Sequence, residues 1–113
     1  MIEYINYKNK KYPVRVGYYA LKHTSAFLKT KGKPDLDIED IFSGDIEVYE
    51  PLLFFSLQMG AKASDSILEL TMEDMEDVLD YCLFEFAEIV PKFFPNNKEA
   101  GIEKKLNQGL KMK

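Results

Sequence analysis

The side chains best suited to covalent catalysis are one histidine and one cysteine, His23 and Cys82. A cysteine needs an adjacent base to act as a nucleophile. However, Cys82 falls on the apolar stripe of an amphipathic segment, where cysteine behaves as a small buried hydrophobe. His23 is expected on the outer side of a first helix. One histidine and one cysteine also cannot supply the ligands of a structural zinc site. We therefore predict no catalytic residue and no metal site.

Carboxylates are numerous, and several have a spacing that is found among cation ligands. Asp74, Asp77 and Asp80 have helical neighbour spacing, which permits weak binding of a hard cation. Acidic residues alternate over residues 35–40 as in a calcium loop, but Ile46 stands where the bidentate glutamate belongs. The glycines are isolated, so none begins a phosphate-binding loop. The acidic residues predict a solvated face, and the chain is expected to be non-enzymatic and without a cofactor.

The net charge of −4 is unevenly distributed along the chain. Residues 1–34 carry eight lysine or arginine residues and one glutamate, whereas residues 35–97 carry sixteen acidic residues and two lysines. Residues 98–113 carry five lysines and two glutamates. These opposite signs are compatible with neutralisation inside one fold or with head-to-tail association of copies, so a homo-oligomer is one expectation.

The basic start of the chain supports an alternative function, a small nucleic-acid-binding regulator. A ribbon of basic and aromatic side chains is able to contact phosphates and to stack on bases. The side chains concerned are Tyr4, Tyr7, Lys8, Lys10, Lys11, Tyr12 and Arg15. Two facts count against this alternative: the whole chain is acidic, and it contains a single arginine, the main reader of guanine edges.

The local patterns predict a mainly α fold of the α+β class, with four to five helices and an N-terminal β-hairpin packed on them. Strands are expected at residues 2–7 and 11–16, since Tyr, Ile and Val are enriched there and Asn9 tolerates a tight turn. A helix follows from Tyr18 to about Lys31, and Gly32 ends it. One stripe of this helix holds Tyr18, Leu21, Ser25 and Leu28, with Ala20, Thr24 and Phe27 beside it.

Later segments supply the remaining helices. One or two helical turns are expected within 35–45. Residues 46–59 hold the most apolar segment, and a central helix is expected within it, with Pro51 in its first turn and Gly60 as its stop. Thr71 and Asp74 form a capping-box pattern before an amphipathic helix that ends near Val90. Residues 1–95 are predicted to form a single globular domain, and 96–113 a C-terminal tail or a short helix over 98–111.

The order of these elements resembles that of the tail assembly chaperones of long-tailed bacteriophages, small proteins encoded just before the tape-measure gene. The first similar stretch is a strand leading into a helix, Tyr12 to Lys22, closed by Lys31 and Gly32. The second is the leucine- and aromatic-rich helix closed by Met59, Gly60 and Ala61. The third is the acidic helix entry from Leu70 to Asp80.

This resemblance implies a non-enzymatic role in virion assembly. Such chaperones bind the tape-measure protein and the major tail protein in the cytoplasm of the bacterial host, and they are absent from the mature virion. Many are also made in a longer, frameshifted form, and some homologues form rings or helical arrays. The resemblance implies no catalytic residue.

Exposed apolar side chains kept soluble by charge are what such a role requires. The central helix has more apolar faces than a small core needs. We therefore predict partner binding through Tyr19, Phe54, Phe55 and Met59, although aromatic residues of this segment are also core candidates. No membrane contact is expected, because the apolar run Leu52–Phe55 is far too short to cross a bilayer.

Overall fold

Two short antiparallel strands begin the fold. The structure is a computed structural model, and residues 2–32 and 46–94 are described. Strand β1 covers Glu3–Tyr7 and strand β2 covers Lys10–Val14, with Tyr7 opposite Lys10. Only Lys8 and Asn9 separate them, with φ angles of 49° and 64°. Two consecutive positive φ angles are typical of a type I′ turn, which matches the twist of the strands. The predicted hairpin is therefore confirmed, with a turn one residue shorter than expected.

Three α-helices follow the hairpin. They are α1, Tyr18–Thr30; α2, Ile46–Ala63; and α3, Met75–Ile89. Short 3₁₀ turns, Met72–Asp74 and Val90–Phe93, flank α3. The helical character and the N-terminal hairpin are confirmed, but four to five helices are not, since the described residues hold three. The helices expected within 35–45 and 98–111, and the tail 96–113, lie outside the described residues. No helix among the described residues is long and apolar enough to cross a membrane.

Helix α2 is the central element, as the sequence predicts. Nine of its residues are buried, and it contacts α1, β2 and α3. Two details of the prediction are wrong. Pro51 lies inside the helix rather than in its first turn, and Gly60 does not stop the helix, which continues to Ala63. A Cβ atom built on Gly60 would lie 2.0 Å from the carbonyl oxygen of Pro13. Glycine is therefore needed here because strand β2 crosses the helix backbone closely.

The buried stripe of α1 is shifted from the predicted one toward the residues beside it. Leu28 of the predicted stripe is buried together with Ala20 and Thr24, whereas Tyr18 is 78% exposed. The packing against α2 selects the small residues Ala20 and Thr24, since small side chains let two helices approach. Gly32 has a φ of 77° immediately after the helix, which confirms its predicted role in ending α1.

Helix α3 begins as predicted. The Asp74 carboxylate accepts hydrogen bonds from the Thr71 backbone N–H at 2.7 Å and from the Thr71 hydroxyl at 3.1 Å. The first of these contacts satisfies the Thr71 backbone N–H, as in a capping box. Cys82 is buried, as expected, and its φ of −131° kinks the helix there. The ring of Phe86 is fully buried and contacts Tyr49 of α2 edge-on, with centroids 5.9 Å apart.

Both edges of the hairpin are engaged by helices. On the β1 side, the Asn6 backbone N–H donates to the Glu85 carboxylate at 2.9 Å, and Glu3 pairs with Lys92 at 3.7 Å. Just after β2, the Arg15 backbone N–H donates to the Ser56 carbonyl at 3.0 Å. Each of these backbone contacts satisfies one donor beside the hairpin, where a free donor would favour pairing with another chain.

Candidate partner-binding surface

An aromatic cluster lies where the start of α1 meets the second half of α2. The ring centroids of Tyr19 and His23 are 4.2 Å apart, and those of His23 and Phe55 are 5.4 Å apart. Phe55 also contacts Tyr19 and Phe54 edge-on, at 6.4 and 5.3 Å. Edge-on ring pairs add stability beyond their buried area. We call Tyr19, His23, Phe54 and Phe55 the aromatic cluster.

All four rings of the aromatic cluster are half-buried. Phe54 and Phe55 pack against the hydrophobic core with one part of the ring, and the remainder is accessible. The Tyr19 hydroxyl donates to the Gln58 side-chain oxygen at 3.0 Å, which fixes the ring against α2. The cluster therefore offers an apolar surface with polar atoms beside it, the composition typical of a protein-binding patch.

The structure brings together three of the four predicted partner-binding residues, Tyr19, Phe54 and Phe55. Met59 is half-buried and lies one helical turn beyond Phe55 on α2. Sequence analysis missed His23, whose ring packs on Tyr19 and Phe55 instead of pointing away on the outer side of α1. The spacing of four residues from Tyr19 to His23 places both on one helix face, so the sequence alone indicates that the two rings are neighbours.

Further apolar side chains are exposed on α3 and on the hairpin. Phe84 is 82% exposed and Tyr81 is 62% exposed. The Tyr81 ring contacts the buried Tyr7 ring edge-on, with centroids 5.3 Å apart. These residues lie on different elements from the aromatic cluster and were not predicted to bind a partner.

The lysines of the hairpin lie beside acidic and aromatic side chains. The Lys8 ammonium is 3.6 Å from the Asp77 carboxylate, and the Lys10 ammonium lies over the Tyr12 ring at 5.1 Å. The Tyr7 hydroxyl donates to Asp77, and this hydrogen bond together with burial raises the pKa of Tyr7. Asp77 therefore offsets the charge of Lys8 at the turn.

The thiol of Cys82 is poorly suited to nucleophilic chemistry. The residue is 2% exposed, and burial, with a smaller effect of Glu85, raises the pKa of the thiol to about 11. A thiol attacks as the thiolate, which such a pKa disfavours at neutral pH. Within residues 2–32 and 46–94, no group of three or more histidine, cysteine, aspartate or glutamate residues is arranged to hold a metal ion.

Comparison of the chain with protein-family models, with curated proteins and with solved structures found no match.

Proposed function

We propose that this protein is a tail assembly chaperone of a long-tailed bacteriophage or prophage. It acts without catalysis in the cytoplasm of the bacterial host, binds the tape-measure protein and the major tail protein transiently, and does not remain in the virion. The observation that carries the proposal is the half-exposed aromatic cluster on α1 and α2, which includes Tyr19, Phe54 and Phe55. The resemblance in element order supports it as well.

The chemistry of the cluster suits a helical client. An amphipathic helix binds a groove or face through apolar side chains at spacings of three and four residues. Tyr19 and Phe55 meet across the two helices, and Gln58 and His23 place polar atoms beside them. Aromatic side chains of this kind dominate binding energy in protein interfaces, while polar neighbours form the rim.

The DNA downstream of the gene gives the first test. An overlapping reading frame near the 3′ end, followed by one very long helix-coding frame, would agree with the proposal and identify the client. A neighbourhood of metabolic or regulatory genes would contradict it.

Co-expression with the product of that long frame tests the surface itself. The double variant Phe54→Ser/Phe55→Ser is expected to abolish co-purification, because the accessible parts of both rings are removed. The matched control is Phe84→Ser, which removes an equally large but more exposed ring from α3. Circular dichroism checks folding of each variant. If the double variant unfolds, the rings are structural and the assignment of this surface fails; normal binding by a folded double variant would also refute it.

A further inference from the structure

An apolar groove with an acidic rim lies on another part of the molecule. It runs between the end of α1 and the starts of α2 and α3. It consists of two adjoining hollows that share Glu50, Glu73 and Glu76. Phe27 lines one of them, and Ile46, Leu79 and Leu83 line the other; Ile46 is 68% exposed. We call these four apolar residues, together with the carboxylates that surround them, the acidic groove.

Six carboxylates line the acidic groove: Glu47, Glu50, Glu73, Glu76, Asp77 and Asp80. They come from two helices and from the 3₁₀ turn before α3, so the fold concentrates negative charge along both sides of an apolar channel. Lys31 lies at the α1 end, with its ammonium 5.4 Å from the centre of the Phe27 ring. A fitting occupant is a segment with apolar side chains on one face and several positive charges beside them.

We propose that the lysine-rich segment 98–113 of the same chain binds in the acidic groove. This segment carries five lysines and two glutamates, opposite in sign to the rim. Ile102, Leu106 and Leu110 recur every four residues, a spacing that puts three apolar side chains on one face of a helix. The segment thus combines both properties that the groove demands.

The length of chain after the described residues is sufficient for this docking. Along the α3 axis, Leu83 lies about 9 Å before Ile89, at 1.5 Å per residue. The 3₁₀ turn Val90–Phe93 adds up to about 8 Å at 2.0 Å per residue, which makes about 17 Å in all. Residues 95–101 reach up to about 23 Å when extended. The chain is therefore able to turn back after Phe94 and bring Ile102 to the groove. The short connection also gives a local concentration that a separate molecule does not match.

The proposal is independent of the chaperone function and is tested on the full chain. Equal amounts of ¹⁴N- and ¹⁵N-labelled protein are mixed, and a carbodiimide joins lysines to carboxylates in contact. Mass spectrometry then identifies the joined peptides. We expect links from Lys104 and Lys105 to Glu73 and Glu76, within molecules of a single isotope. Mixed-isotope links would overturn the proposal in favour of a second copy as the occupant.

A pair of variants tests the apolar contact separately from charge. Leu106→Ser removes one buried anchor and is expected to lower the yield of these links about tenfold, the equivalent of about 1.4 kcal/mol. The matched control, Asn107→Ser, changes a neighbouring polar residue and is expected to leave the yield unchanged. Equal yields in both variants, or links spread evenly to acids outside the groove such as Asp65, Glu69 and Glu88, would show that the segment does not bind there.

Discussion

Replacing Gly60 by alanine sets two opposite effects against each other. In the interior of an isolated helix, alanine is favoured over glycine by about 1 kcal/mol. In this fold, however, the added Cβ would lie 2.0 Å from the Pro13 carbonyl oxygen, 2.4 Å from its carbon and 2.8 Å from the Val14 nitrogen. All three atoms belong to the backbone, so no side-chain rotation relieves the overlap.

The size of the effect follows from these distances. Ordinary contact begins at 3.4 Å, so α2 and β2 must separate by about 1.4 Å at this point. Overpacking of this kind costs about 1–3 kcal/mol. The same shift stretches the hydrogen bond from the Arg15 N–H to the Ser56 carbonyl, which is 3.0 Å long in the wild type. Weakening this hydrogen bond costs about 1 kcal/mol more. After the gain of about 1 kcal/mol in helix propensity is subtracted, we expect Gly60→Ala to lower the free energy of unfolding by about 2 kcal/mol.

Urea denaturation followed by circular dichroism measures this loss as a change in the free energy of unfolding. The control is Gly17→Ser, which adds a larger side chain where no heavy atom lies within 4 Å of the new Cβ. Serine is a good N-cap residue, so the control is expected to keep or slightly raise stability. A Gly60→Ala variant as stable as the wild type would refute the close approach of β2 to α2.

Three further predictions concern α3. Burial raises the pKa of the Cys82 thiol from 9.0 to about 11, so the protonated thiol stabilises the folded state fully below pH 9, and this stabilisation is lost as the pH rises to 11. Over that range, the free energy of unfolding of the wild type should fall by about 2–3 kcal/mol more than that of Cys82→Ala. Urea denaturation at each pH measures the difference. Asp74→Ala removes the acceptor of the Thr71 N–H and should cost about 1 kcal/mol in urea denaturation, and an unchanged midpoint would contradict the cap. Phe86→Ala should cost about 3–5 kcal/mol, whereas Phe84→Ala, at a site 82% exposed, should change the unfolding free energy by less than about 0.5 kcal/mol.

Local sequence signals predicted the elements that depend on local chemistry. The Lys8–Asn9 turn, the end of α1 at Gly32 and the capping box of Thr71 each follow from backbone preferences that neighbouring residues satisfy. Gly60 was misinterpreted because its role depends on Pro13, a residue far away in the chain. A glycine that ends a helix and one that admits a crossing strand look alike in a single sequence.

The candidate surface was only partly predictable for the same reason. Tyr19 and Phe55 were chosen because apolar residues exceed what one core needs, and the fold does bring them together. Their contact with His23 depends on the relative rotation of α1 and α2, which residue type and spacing do not determine. Tyr18 was assigned to the buried stripe, yet the closer packing of Ala20 and Thr24 turns it outward.

The position of the hairpin between α2 and α3 has a consequence for folding during synthesis. Residues 3–14 leave the ribosome before the three helices, but a two-stranded hairpin alone is marginally stable in water. The groups that hold its edges, the Ser56 carbonyl and the Glu85 carboxylate, are made much later. Strands β1 and β2 are therefore expected to order only after α3 has been synthesised, because contacts with both α2 and α3 support them.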